Sequence, residues 1–357
     1  MSPLALSLIG GFLIGIIYGV TGQRTGFCLN SGFRGFFVTG DNRKLASFVL
    51  AMAVALLATQ ISAALGLIDL SRSIYLSAPS SWLLIPLGGL LFGYGMIAAN
   101  ACGSRALVLL GQGNLRSFVV LLCLGIAAYA TFSGVLAPLR SAIAGSTTMA
   151  FDRSPSIPGY LEPLLGAQNA RLLPAALLAA VLAGLAFRSE AFRKSPRDIA
   201  AGLIVGLLIA AGWLATGYFG ADEFEPTPLA SLTFIAPIGE TIQFAMLSTG
   251  MKLSFGITII VGVFLGALAS ALAGGNYKLE GFSEPRQMLR YMAGGTMMGI
   301  GGALALGCSI GQGLTGFSTL AFASFLAIAG IVAGSMLALR GPLRLPANPL
   351  SRAVPAF

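Results

Sequence analysis

The chain has 357 residues, of which 56% are hydrophobic and only 9% charged, with a formal net charge of +9 and no histidine. A mean hydropathy of +0.87 leaves too little polar surface for a soluble protein of 36.5 kDa, so a soluble enzyme is excluded and the chain belongs in a bilayer. Positive-inside bias accounts for the excess of Lys and Arg without nucleic acid, and four cysteines that lack close C-x-x-C spacing suggest no metal site.

The first apolar run, near 4–20, has no Lys or Arg ahead of it and no small-residue cleavage pattern behind it, so it reads as a retained transmembrane helix. Runs able to cross about 30 Å of hydrocarbon at about 1.5 Å per residue recur along the chain. They lie near 45–68, 82–100, 116–137, 171–187, 198–216, 253–273, 289–306 and 319–339. The expected fold is an all-α polytopic membrane protein of about nine transmembrane helices plus re-entrant loops or short helices.

Two stretches between the spans fit neither class. Residues 23–37 read QRTGFCLNSGFRGFF and residues 229–250 read LASLTFIAPIGETIQFAMLSTG; both are too apolar for open water and too broken to span. Irregular backbone at membrane depth survives only where protein or a wet cavity satisfies it, so such segments are expected to line a pathway.

Internal similarity divides the chain. Gly88, Gly89, Gly93 and Gly95 lead to Cys102, and Gly294, Gly295, Gly299 and Gly301 lead to Cys308, every pair 206 positions apart, with Ala99 and Ala305 in register. Gly88, Gly89, Gly294 and Gly295 are expected to permit close helix packing, and the later glycines to let the helices break. A second match, Gly11, Gly15, Thr25 and Gly26 with Gly202, Gly206, Thr216 and Gly217, runs at a shift of 191 and sets Cys28 against Phe219.

Charge orients the halves. Arg188, Arg193, Lys194 and Arg197 place their loop in the cytoplasm, and alternation then puts Arg24, Arg34, Arg43, Lys44, Lys278, Arg286, Arg290, Arg340, Arg344 and Arg352 on the same side. Acidic Asp222, Glu223 and Glu225 fall opposite. The N-terminus is then outside and the C-terminus cytoplasmic, and the repeat is inverted. The divisions are 1–140 for the first repeat, 141–197 for a polar outside segment plus a linker span, 198–340 for the second repeat and 341–357 for a cytoplasmic tail.

The segments RTGFCLNSGFRGFF, GYGMIAANACGSRALVLLGQGN and GIGGALALGCSIGQGLTGFS resemble those of the YeeE/YedE family of sulfur-transport membrane proteins. The likeness covers most of the chain. It implies an inverted-repeat bundle in the bacterial inner membrane that takes up thiosulfate for sulfur assimilation, without a cofactor. It also implies that Cys28, Cys102 and Cys308 are the functional cysteines, and that a cytoplasmic sulfur carrier of the TusA type accompanies the transporter. Cys123 matches no motif.

The chemistry is reasonable. The terminal sulfur of thiosulfate is large and polarisable, a fit partner for a weak S–H donor, and an apolar interior favours a protonated thiol over a repelling thiolate. A few weak hydrogen bonds return about 1 kcal/mol each, whereas burying an ionised group costs tens of kcal/mol in the Born limit, so thiols alone cannot hold a dianion. Backbone N–H groups and half-helix ends around 22–35, 103–113 and 307–316 are expected to supply the field.

Polar residues in apolar context are further candidates: Asn100, Gln112, Gln243, Thr249 and Gln312 as contacts to the oxyanion end, Arg105 as an attractor or an interface marker, and Glu240 as a loop tie or part of the path. Three alternatives stay open at this point. The chain could carry another sulfur or selenium species, act as a membrane thiol oxidoreductase, or transfer sulfur through a Cys persulfide.

Overall fold

The computed structural model describes residues 2–77, 80–148, 151–221, 228–282 and 284–345; Asp222, Glu223, Glu225 and Arg352 lie outside the described residues. Helix α1 (Pro3–Thr25) starts where the Ser2 hydroxyl accepts the Ala5 N–H, with proline at the position that needs no N–H, and stops at Gly26 in the left-handed region, φ 65°. After α2 (Leu29–Arg34) and a π-helical turn (Gly35–Thr39) come α3 (Arg43–Ala64), the short α4 (Ile74–Ser77), α5 (Leu84–Ala98), α6 (Gly103–Gly111) and α7 (Leu115–Phe132). Four helices form the connection: α8 (Ala137–Ser146), α9 (Ile157–Leu165), α10 (Ala167–Phe187) and α11 (Glu190–Arg193). The second half holds α12 (Pro196–Gly217), α13 (Ile235–Leu247), α14 (Phe255–Ala273), α15 (Pro285–Leu304), a π-helical turn (Gly311–Gly316) and α16 (Phe322–Leu339).

Among the described residues, the nine helices of fifteen or more residues coincide with the nine predicted spans. Eight helical stretches among the described residues are long and apolar enough to cross a membrane, of which Pro3–Thr39 runs on from α1 to the π-helical turn and Leu84–Gly111 joins α5 to α6; α15, outside these, carries Arg286 and Arg290 in its first two turns. Among the described residues there is no strand, only isolated bridges. Where helices meet in lipid, close approach of small residues rather than apolar burial drives association. On α10, Ala170, Ala175, Ala179 and Ala186 are buried while Leu173, Leu177, Val181 and Leu185 are exposed.

Four helix pairs and a central crossing make the bundle. α1 packs on α14 and α3 on α12, α5 packs on α16 and α7 on α15, and α5 meets α15 in the middle. The outer pairs α1 with α14 and α3 with α12 run parallel: Gly15 faces Gly262, while Gly202 faces Ser47 and Gly206 faces Ala51. The central pair is antiparallel, since Gly88 lies against Gly301 and Gly95 against Gly294. The later glycines of each motif therefore pack as the earlier ones do, which corrects the expectation that they break the helices. The breaks fall farther on, at Asn100 (φ 59°) and Leu306 (φ 57°), again 206 positions apart. A leucine in the left-handed region is uncommon and strained, and is held there only by its surroundings.

Side chains at the closest contacts have no room. A methyl group at Gly93 would meet the Ile331 carbonyl of α16, and one at Gly299 the Leu124 carbonyl of α7. Gly93→Ala and Gly299→Ala are expected to cost about 1–3 kcal/mol each, because backbone on the facing helix must move. Gly184, in α10, has open space around it, and Gly184→Ala should be neutral or slightly stabilising. Thermal unfolding of the detergent-solubilised variants checks the order; equal midpoints would show that these contacts give way freely.

An ion pair ties three helix ends together. Lys44 Nζ lies 2.6 Å from Asp198 Oδ1 and also donates to the Thr25 carbonyl at the end of α1. The second carboxylate oxygen accepts from Ser195 Oγ at 2.8 Å, and the Asp198 carbonyl accepts from Ser47 Oγ at 2.7 Å. With both ions partnered, the pair anchors the start of the segment that leads to Cys28.

Candidate functional site

Each of the three motif cysteines precedes a helix that starts anew after a buried break. Cys28, in extended conformation, stands directly before α2; Cys102, also extended, stands directly before α6; and Cys308 opens the turn that runs into Gly311–Gly316. All three are buried and none is in a disulfide. The unpaired N–H groups of a helix start point toward its cap position, so each thiol sits at a positive end.

Two of the thiols meet. Cys28 Sγ and Cys102 Sγ are 3.7 Å apart, a thiol–thiol hydrogen-bond distance far beyond a covalent bond, and Cys102 Sγ lies 3.3 Å from Ser104 Oγ. Cys308 Sγ accepts the Gly311 N–H at 3.2 Å, with the backbone of Phe234 also beside it. Accepting at sulfur leaves its own S–H free to donate.

Arg105 lies beside this thiol pair. It is the third residue of α6, its Nη1 donates to the Gly22 carbonyl at 2.8 Å, and Cys28, Cys102 and Tyr18 lie within its electrostatic reach. No carboxylate pairs with it among the described residues. A guanidinium carries five N–H donors, and one bond to a carbonyl leaves others to meet an acceptor.

The other predicted residues divide. Asn100 forms the left-handed break two residues before Cys102. Gln312 is fully buried and committed, Nε2 donating to the Ala305 carbonyl at 2.6 Å and Oε1 accepting from Ser324 Oγ at 2.7 Å, so it braces the Cys308 turn. Glu240, on α13, accepts from Ser254 Oγ at 3.0 Å with Tyr129 alongside, which ties α13 to α14 and α7. Gln243 lies one turn farther along α13, Gln112 closes α6 at the end away from Cys102, and Thr249 is exposed beyond α13. These three are not brought to the thiols. Cys123 lies on α7 against Gly295, apart from the other cysteines.

Three aromatic residues at the site were not singled out from the sequence. Tyr18, 2% exposed, lies within reach of all three thiols and beside Ser104; the Phe234 ring packs against it at a tilt; Tyr75 flanks Cys308 and meets Trp213 edge to face. The shift of 206 gives Cys28 a different partner from the shift of 191. Phe219, matched to it at a shift of 191, is 53% exposed just past the end of α12, whereas Phe234, 206 positions from Cys28, stands directly before α13 as Cys28 stands before α2. Between α2 and the Gly311–Gly316 turn lies a cavity of about 170 Å³ lined by Leu29, Phe33, Phe48, Met52 and Ile331, with Ser309 as its one polar residue. Its walls suit no ion.

A family profile described as sulphur transport matches residues 24–337. The thiosulfate transporter TsuA of Spirochaeta thermophila is 29% identical over 343 residues, covering 91% of this chain and 96% of that protein. The thiosulfate transporter TsuA of Escherichia coli is 24% identical over 344 residues, covering 92% of each.

Proposed function

The chain belongs to the sulphur-transport family, and from that premise we propose that it takes thiosulfate into the cell across the cytoplasmic membrane, along a path marked by Cys308, Cys102 and Cys28. The observation that carries this reading is the arrangement of the thiols, all buried at helix starts, two of them in contact. Each offers a weak S–H donor to the polarisable sulfur of the ion. Weak partners at successive points let the ion bind and leave. The charge is met elsewhere: by Arg105 and by the N–H groups at the start of α6, which lie beside the Cys28–Cys102 pair.

The two halves are related by a two-fold axis in the membrane plane. What supports this is the pairing of helices: exchanging α1 with α12, α3 with α14, α5 with α15 and α7 with α16 carries the α1–α14 contact onto α3–α12 and the α5–α16 contact onto α7–α15, and the α5–α15 contact onto itself. The central partners α5 and α15 are antiparallel, and a two-fold axis along the helices would make them parallel. Arg24, Arg43, Lys44, Arg193 and Arg197 then face the cytoplasm, the N-terminus is outside and the C-terminus inside. A sulfur carrier on the cytoplasmic side would draw the imported ion onward.

Growth tests the substrate. A sulfur-starved cell that lacks its own thiosulfate and sulfate uptake systems should grow on thiosulfate when it expresses this chain and should stay starved on sulfate. Equal growth on both ions would remove the reason for thiols in the path.

A further inference from the structure

The halves differ at a buried position that carries a motif cysteine in the first, and the residue there in the second is large. The shift of 206 that carries Cys102 onto Cys308 also carries Cys28 onto Phe234, and the two stand directly before α2 and α13. Where the first half presents a thiol, the second presents a benzyl group. Phe234 is fully buried, and its ring lies 5.3 Å from that of Tyr18, with the planes inclined by 43°.

Its neighbours place this ring pair between the thiols. On one side the Phe234 backbone lies at the Cys308 sulfur. On the other, a Cβ placed on Gly103, the residue after Cys102, would come within 3.8 Å of Phe234 Cβ. Tyr18 spans the gap from α1, beside Ser104 and within reach of Cys28, Cys102 and Cys308. A chain of thiols with water between them would also pass protons and small ions. Two packed rings exclude water, and their edges accept a sulfur atom better than a hydrated oxygen.

We propose that Tyr18 and Phe234 form an aromatic gate that divides the path into a chamber at Cys308 and a chamber at Cys28 and Cys102, and that this gate separates the two sides of the membrane. The proposal rests on the reading of the three thiols as one path. It assigns to Phe234 the barrier and part of the selectivity, and to the cysteines the passage.

Sided labelling tests it without thiosulfate. The protein carrying Cys123→Ala is reconstituted in vesicles, a membrane-impermeant anionic methanethiosulfonate is added to one face at a time, and modified cysteines are identified by peptide mass. With the gate intact, one face should give Cys308 only and the other face Cys28 and Cys102 only. Phe234→Ala should open the far thiols to either face, with a rise of tenfold or more in their labelling rate. Tyr18→Phe, which keeps the ring, should preserve the separation. Phe234→Leu retains most of the buried volume and decides the matter if the alanine variant does not fold; it should show far-side labelling between the two extremes. Far-side labelling that neither Phe234 variant increases would overturn the gate. Because no substrate enters the assay, loss of thiosulfate uptake alongside intact sided labelling would instead count against the proposed substrate.

Discussion

Cys102→Ala and Cys308→Ala should each reduce thiosulfate uptake by tenfold or more while leaving the protein folded in the membrane. Each removes a small, buried sulfur at a helix start, and the packing loss is modest because alanine keeps the β carbon. What disappears is the S–H donor. Cys28→Ala should be similarly damaging, since Cys28 and Cys102 form one contact at 3.7 Å and the loss of either dissolves it. Serine should rescue only in part: its C–O bond is shorter than C–S, so Oγ falls short of the partner sulfur, and its hydroxyl is a harder, better hydrated donor. Cys123→Ala should be close to neutral, because Cys123 lies on α7 away from the three helix starts. Transport that survives loss of Cys102 and Cys308 but fails with Cys123→Ala would mean that the repeat marks packing alone. The readout is uptake normalised to the amount of protein in the membrane.

Arg105→Gln is the second large effect. A hydrogen bond to a charged group contributes about 1.5–3 kcal/mol, which corresponds to about 10–150-fold in affinity for the ion. Glutamine is uncharged and too short to reach where Nη1 meets the Gly22 carbonyl, so both the charge and that bond are lost, and the level of folded protein in the membrane is measured alongside uptake. The expected signature is a raised KM for thiosulfate with the protein present at its normal level. Lysine should restore part of the affinity, since it supplies the charge without the planar fork. An unchanged KM in Arg105→Gln would reduce this residue to a brace for the Gly22 carbonyl.

Much of the fold was legible in the chain because hydrocarbon demands long apolar helices, and all nine expected spans coincide with helices. The cysteine-centred breaks were legible for the opposite reason, as polar and glycine-rich text where a span should have continued. The cause of those breaks was misread. Glycine is so common in close-packed membrane helices that Gly93, Gly95, Gly299 and Gly301 carry no break signal, and the left-handed residues that end the helices are Asn100 and Leu306. The match of Cys28 with Phe234 was hidden by the longer segment between α12 and α13, which carries the register from a shift of 191 to one of 206. Tyr18, Tyr75 and Phe234 gave no signal either, because an aromatic residue in an apolar run reads equally as core, lipid face or path. Gln312 and Glu240 show the converse, polar residues whose hydrogen bonds hold the scaffold.

The central claim is that buried thiols make this family member selective for an ion with a terminal sulfur. Uptake of radiolabelled thiosulfate by vesicles containing the purified protein, in competition with sulfate, tests it most directly. Excess sulfate should leave uptake nearly unchanged, and Cys102→Ala and Cys308→Ala should each remove it. Sulfate competing as well as unlabelled thiosulfate, or uptake that persists without both cysteines, would contradict it.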